Sequence, residues 1–203
     1  MYKRNKRKGI WYHIIHSYLN LVDKTSTFCI VGKEKLDNNQ MVGYWHTDSY
    51  PMQLFLKKIQ YDFKSISVIV TADKRGDYIE QMIESFGANA LRVRDGLKMK
   101  DTYSNILVEA KKEGKILATA LDGPLGPLHK PKRLLFLLAK QADKEMVYIY
   151  FTYSKCIRLK NRWDNYVIPL PFTKIQANVE NIGKITNIQL NSIKNESFVL
   201  KYE

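Results

Sequence analysis

Cysteine is scarce in this sequence: Cys29 and Cys156 are the only two among 203 residues, and each lies in an apolar, strand-like run. So few cysteines exclude a disulfide framework and a zinc site built on paired thiolates, and they fit a reducing, cytosolic environment. Long apolar stretches are also lacking, since none approaches the roughly 18 to 20 residues that a spanning helix requires. We therefore expect no disulfide, no metal site and no transmembrane segment.

Acidic residues are few as well. Asp and Glu number 20 against 33 Lys and Arg, which gives a formal net charge of +13. A long-range partner should therefore be anionic: a nucleic acid, a phospholipid surface or a small phosphorylated ligand. The basic residues are spread along the chain or clustered at its start, and neither a helix-turn-helix signature nor an RNP-like aromatic strand occurs. We expect no nucleic-acid partner, and a nucleic-acid-binding module remains the weakest of three hypotheses.

The first part of the chain pairs a basic leader with an amphipathic helix. The leader MYKRNKRKG precedes a segment whose apolar residues recur at helical spacing. This pattern is typical of a helix on an anionic membrane surface, and it fits equally a helix that packs on the protein's own core. We divide the chain into residues 1–24, the leader and membrane-surface helix, and residues 25–203, a single domain. The apolar positions are Ile10, Trp11, Ile14, Ile15, Tyr18, Leu19 and Val22.

Strand-like and helix-like segments alternate through the rest of the chain. The predicted strands cover 27–31, 41–45, 66–72, 90–93, 115–121 and 146–153, with a last strand and an irregular tail after 173. The predicted helices cover 51–60, 76–86, 101–113 and 131–142, where proline begins two of them and Gly87 and Gly114 end the others. This alternation predicts an α/β fold with a mostly parallel mixed sheet flanked by helices.

A histidine lies where the second predicted strand ends, in GYWHTDSYP (43–51). Ligands of open α/β sheets collect at such strand ends. A neutral His46 imidazole could accept a proton from a hydroxyl, and Asp48 is the nearest carboxylate in sequence that could orient it. Asp48 also precedes Pro51, where a helix N-cap belongs, so capping is an alternative role. We name His46 and Asp48 as the candidate catalytic pair.

A turn-rich loop, LDGPLGPLHKPKR (121–133), follows the strand at 115–121. Its glycines allow close backbone approach to a ligand and its prolines restrict the chain. Lys130 and Lys132 follow at the start of the next helix, where cations oppose the helix dipole unless an anion is bound. They are therefore candidate ligands for a phosphate, with solvent-exposed surface positions as the alternative.

Taken together, GYWH, VTADKRGDYIEQMIESFGANALRVRDG, DGPLGP and NRWDNYVIPLPF resemble, in order and spacing, the bacterial lysophospholipid acyltransferase-like proteins. The likeness is to a poorly characterised branch with Trp-His, Asp-Gly-Pro-x-Gly-Pro and Trp-Asp…Pro-x-Pro-Phe motifs. It implies an enzyme on the inner face of the cell membrane that moves an acyl chain to a lysophospholipid-like hydroxyl. The acyl donor would be a thioester of acyl-carrier protein or coenzyme A, with no bound cofactor.

The same resemblance suggests roles for further residues. Arg92 or Arg94 would bind the phosphate or headgroup of the acceptor, and Asp122 and Gly123 would shape the same pocket. The superfamily's acidic residue, separated from the histidine by four positions, is replaced here by Pro51. That departure motivates the main alternative, a catalytically silent lipid-binding protein of the same fold.

Overall fold

A mixed β-sheet forms the centre of the computed structural model, which describes residues 10–59, 65–72, 74–93 and 99–200. Within these ranges the sheet has seven strands in the order β1-β9-β6-β2-β5-β3-β4. All neighbouring strands are parallel except β6 and β9, which pair antiparallel. The predicted fold class, a mostly parallel mixed sheet flanked by helices, is confirmed.

The strand bounds follow the apolar runs closely. The sheet strands are β1 (Thr27–Val31), β2 (Gln40–Tyr44), β3 (Ile66–Thr71), β4 (Asn89–Val93), β5 (Ile116–Ala120), β6 (Glu145–Tyr153) and β9 (Lys174–Lys184). The β2 strand is buried along its whole length. Continuous burial of this kind explains the apolar runs, because parallel strands are covered on both faces.

Helices cover both faces of the sheet. The helices are α1 (Ile10–Thr25), α2 (Ser49–Ile59), α3 (Lys74–Ser85), α4 (Met99–Ala110), α5 (Arg133–Gln141) and α6 (Asn187–Lys194). Buried residues of α1, α2 and α3 form one core cluster with the sheet, and those of α4, α5 and α6 form the other. The described residues therefore form a three-layer sandwich with a core on each side of the sheet.

Helix α1 packs on the protein's own core. Leu19 and Val22 are fully buried, and Ile15 and Tyr18 pack against the same cluster. Of the two interpretations of the apolar stripe, the structure therefore shows the core-packing one at these four positions. The basic leader, residues 1–9, and the side chain of Trp11 lie outside the described residues. Among the helices described, none is long and apolar enough to cross a bilayer.

Two features were not predicted from the sequence. A separate two-stranded sheet pairs β7 (Cys156–Arg158) with β8 (Val167–Pro169). The irregular tail contains α6, which begins with a capping box: the Thr186 side chain accepts from the backbone N–H of Gln189, and the Gln189 side chain bonds back to the backbone of Thr186. The Thr-x-x-Gln spacing was the sequence signal that identifies this helix.

Candidate active site

The strand register brings His46 next to Asp122. Tyr44 and Ala120 are the last paired residues of the adjacent parallel strands β2 and β5. The ladder continues past them, because the backbone N–H of Leu121 donates to the carbonyl of Tyr44 at 2.7 Å. His46 and Asp122 each follow this pair by two residues. They therefore emerge side by side at the carboxyl edge of the sheet, where α/β folds bind their ligands.

The two side chains form a direct hydrogen bond. His46 Nδ1 lies 2.9 Å from Asp122 Oδ1, and the same oxygen accepts the backbone N–H of His46 at 3.1 Å. Asp122 is completely buried, whereas the His46 side chain is 28% exposed. An ionised Asp122 makes Nδ1 the donor and leaves the Nε2 lone pair free to accept a proton. This is the geometry of a general base held by a carboxylate.

Asp48 does not take this position, which corrects the predicted catalytic pair. Asp48 is buried, and its Oδ1 accepts the hydroxyl of Tyr153 at 2.5 Å. Burial raises the pKa of Asp48 from 3.8 to about 7, against the opposing effects of the Tyr153 hydrogen bond and the positive charge of Arg158. A backbone turn at residues 46–48 directs its side chain toward β6. The partner of His46 is thus the aspartate 76 positions away rather than the one two positions away.

Sequence motifs far apart in the chain meet around this pair. The Trp163 ring lies 5.4 Å from the His46 ring, measured between centroids. A Cβ on Gly126 would come within 2.5 Å of Trp163 Cε3, so the glycine lets the 121–133 loop pack against the indole. Thr47 Oγ1 donates to the carbonyl of Asn165 at 2.9 Å. The GYWH, DGPLGP and NRWDN segments therefore surround one site.

A cavity of about 530 Å³ opens beside His46. It lies where β3 and β5 separate: their pairing stops at Val68 and Ala118, although β5 continues to Ala120 and β3 to Thr71. Apolar side chains from α2, α3 and the strands line most of it, among them Met52, Leu56, Val70, Ile79 and Ile83. The volume falls within the range of small-molecule sites, and the lining suits an apolar ligand.

Only some of the residues predicted to bind substrate line the cavity. Lys132 and Gly123 line the cavity, and Lys132 is exposed. Arg92 donates to Asp77 at 2.7 Å and lies outside the cavity lining. Lys130 pairs with Glu196 in a surface ion pair. Arg94 lies outside the described residues.

One cation at the cavity was missed. Arg162 lines it, with its guanidinium 4.8 Å from the ring centre of Tyr166 and both ends of its fork on the buried carboxylate of Asp164, at 2.7 and 2.9 Å. The Arg-x-Asp spacing in NRWDN was the only signal in the sequence.

These groups together can perform acid–base chemistry on a partly apolar ligand. The imidazole can remove a proton, Asp122 can stabilise the resulting imidazolium, and the cavity can hold an apolar chain. In the part of the chain described by the structure, no cluster of three or more His, Cys, Asp or Glu side chains could hold a metal ion.

Comparison with known proteins adds one relative. Over 171 residues the chain is 25% identical to an uncharacterized protein of Rickettsia prowazekii (strain Madrid E), an alignment that covers 80% of this chain and 75% of the relative. No protein-family model and no solved structure matches the chain.

Proposed function

We propose that the protein is an acyltransferase that moves a fatty acyl chain from a thioester donor to the hydroxyl of a lysophospholipid-like acceptor. The hydrogen bond between Asp122 and His46, which lines an apolar cavity, carries this proposal. The pair supplies a general base with a carboxylate partner. In this chain Pro51 replaces the acidic residue of the superfamily's catalytic pair, and that replacement had favoured a silent lipid-binding protein. Asp122 can supply the missing carboxylate from another part of the chain.

The chemistry follows from the geometry of the pair. His46 Nε2 removes the proton of the acceptor hydroxyl while the oxygen attacks the thioester carbonyl, and Asp122 stabilises the imidazolium. The tetrahedral intermediate then collapses, the carbon–sulfur bond breaks, and the imidazolium returns its proton to the thiolate. An ester and a free thiol result, with no covalent enzyme intermediate. The donor would be acyl-carrier protein or acyl-coenzyme A, each a substrate rather than a bound cofactor.

The acceptor's phosphate has two candidate partners at the cavity. Lys132 lines the cavity and is exposed. Its backbone N–H donates to the carbonyl of Leu121 at 2.6 Å. This bond holds the backbone of Lys132 against the segment that follows β5 and carries Asp122. Arg162 lines the same cavity, but its fork already engages Asp164. Lys132 is thus the freer of the two cations to neutralise a phosphate.

The edge of the sheet that carries the site also has apolar groups suited to a membrane surface. Leu125, in the loop after β5, is 80% exposed, and Phe172, just before β9, is 76% exposed. Because β9 runs antiparallel to β6, its amino end lies at the same edge as the carboxyl ends of β6, β2 and β5. The strands β5 and β9 are three spacings apart, about 14 Å. We name this surface the docking edge: residues 24–26, 45–49, 121–133 and 154–174.

The charges of the docking edge favour an anionic bilayer as its partner. Its three acidic residues, Asp48, Asp122 and Asp164, are all buried. Its exposed cations attract anionic lipids, each contributing on the order of 1 kcal/mol near such a surface. Contact there would place the cavity against the lipid from which an acceptor enters. The exposed cations are Lys24, Lys130, Lys132, Arg133, Lys155, Lys160, Arg162 and Lys174.

Acyl transfer from labelled acyl-carrier protein and acyl-coenzyme A to a panel of lysophospholipids tests the proposal. Wild type should form the acylated lipid, His46→Ala should lose the product while remaining folded, and His13→Ala, a matched exposed histidine on α1, should retain it. Absence of product from wild type, combined with lysolipid binding, would identify the silent lipid-binding protein instead. Product formation by His46→Ala at the wild-type rate would refute the assigned base.

A further inference from the structure

One polar side chain in the apolar cavity is unexplained by the proposed reaction. Gln53 lies on α2 and lines the cavity, yet it is only 6% exposed. Its Oε1 is buried and accepts no hydrogen bond from any described residue. Its helix neighbours Met52 and Leu56, which also line the cavity, are apolar and buried.

An unpaired buried amide oxygen is costly, which makes its place in the cavity informative. Leaving such an acceptor without a partner costs about 1–3 kcal/mol, whereas an apolar side chain of similar size would cost nothing of this kind. Ligand sites commonly combine apolar walls with a few polar groups that orient the ligand. A primary amide can accept from and donate to the same hydroxyl, because it carries one C=O and one NH₂ group.

The position of Gln53 relative to His46 indicates which part of a ligand it meets. Ser49 Oγ donates to the carbonyl of His46 at 2.8 Å, which fixes the start of α2 beside the base. Gln53 is four residues further on, about 6 Å along the helix axis and on the same helix face. A chain whose carboxyl carbon reacts at His46 would therefore pass Gln53 with its first few carbons.

We propose that Gln53 selects acyl chains that carry a hydroxyl near the carboxyl carbon. The hydroxyl donates to Gln53 Oε1 and accepts from its amide N–H, while the remaining carbons fill the apolar part of the cavity. This inference rests on the proposed function, because it assumes that the cavity holds the acyl chain. It adds a substrate class, the hydroxyacyl thioesters, to the reaction.

Equilibrium binding of free fatty acids tests the inference without requiring turnover. The probes are palmitic acid and its hydroxy derivatives, with the hydroxyl on the β carbon or at the far ω end. Wild type should bind the β-hydroxy acid roughly three- to tenfold more tightly than palmitic acid, in line with one net hydrogen bond. Gln53→Leu should bind palmitic acid at least as well as wild type and lose the preference. Met52→Leu, a neighbouring apolar change, should alter affinity for all the acids alike.

The outcomes separate the two proposals. Equal affinity of wild type for palmitic acid and both hydroxy acids would overturn the role of Gln53 and leave the cavity as an acyl site. A preference that persists in Gln53→Leu would also overturn it. Binding of none of the acids by wild type would remove the acyl cavity itself, and with it the support for acyl transfer.

Discussion

Stability of the fold should decrease as Asp48 ionises. The pKa of Asp48 is raised from 3.8 to about 7, chiefly because burial penalises the charged carboxylate. Between these two values the unfolded chain has released its proton and the folded chain has not. The free energy of unfolding therefore falls as pH rises across this window, and the contribution is constant above about pH 7. One pKa unit corresponds to about 1.4 kcal/mol, so the full effect approaches about 4 kcal/mol.

Asp48→Asn isolates this effect. An asparagine of the same shape can still accept the Tyr153 hydroxyl, but it carries no charge to bury. Near pH 4 the variant and wild type should have similar stability. At pH 8 the variant should be more stable by up to about 4 kcal/mol. Urea unfolding followed by tryptophan fluorescence, repeated from pH 4 to 8, measures the difference.

An exposed aspartate, Asp143, serves as the control for Asp48. Asp143 is 81% exposed and pairs with Lys184 at the surface, so Asp143→Asn should change stability by less than about 1 kcal/mol at every pH. Parallel curves for wild type and Asp48→Asn over the whole pH range would show that Asp48 is not held protonated in the folded state, and the account of its burial would then be wrong.

Three further predictions concern the site and the docking edge. Asp122→Asn should reduce acyl transfer on the order of a thousandfold or more by destroying the orientation of His46, while Asp48→Asn retains most activity; equal losses would refute the assignment of Asp122 as partner. Lys132→Gln should raise the KM for an anionic acceptor about tenfold with little change in kcat, whereas Lys130→Gln, whose lysine pairs with Glu196, should not; equal effects would remove Lys132 from the phosphate site. Leu125→Ser combined with Phe172→Ser should weaken binding to anionic vesicles at least tenfold, measured by co-sedimentation. Ile188→Ser, a 78% exposed position on α6, serves as the control, and a loss as large there would argue against the docking edge.

The strands and most helices were predictable because local pattern determines them. The buried strands β2 and β5 read directly as apolar runs, and Gly87 and Gly114, both with positive φ, follow the helices they end. Helix α6 was missed because its eight residues have only a weak apolar stripe, so the capping box was the informative signal. The β7–β8 pair was missed because three-residue strands provide too little pattern.

The pairing within the site was not predictable from local pattern. His46 and Asp122 were both named, but Asp48 was preferred as the partner because it is near in sequence. Their contact depends on β2 and β5 being neighbours in one register, with Tyr44 opposite Ala120. Strand order and register arise from packing of the whole domain, so one sequence shows which residues end strands and not which ends adjoin.

The separation of β3 from β5 leaves these two strands joined at their amino ends and apart at their carboxyl ends. Three register pairs hold β3, and β4 with it, against the rest of the sheet: Ile66–Ile116, Ser67–Leu117 and Val68–Ala118. Beyond them, toward the carboxyl ends, β3 and β5 are no longer paired. Helix α3 packs on both β3 and β4, so it would move together with these two strands. A small rotation of β3, β4 and α3 about the three strand pairs would then make room for a longer or bulkier chain. The size of ligand accepted would then depend on how firmly these three pairs and the core packing of α3 hold β3 and β4 in place.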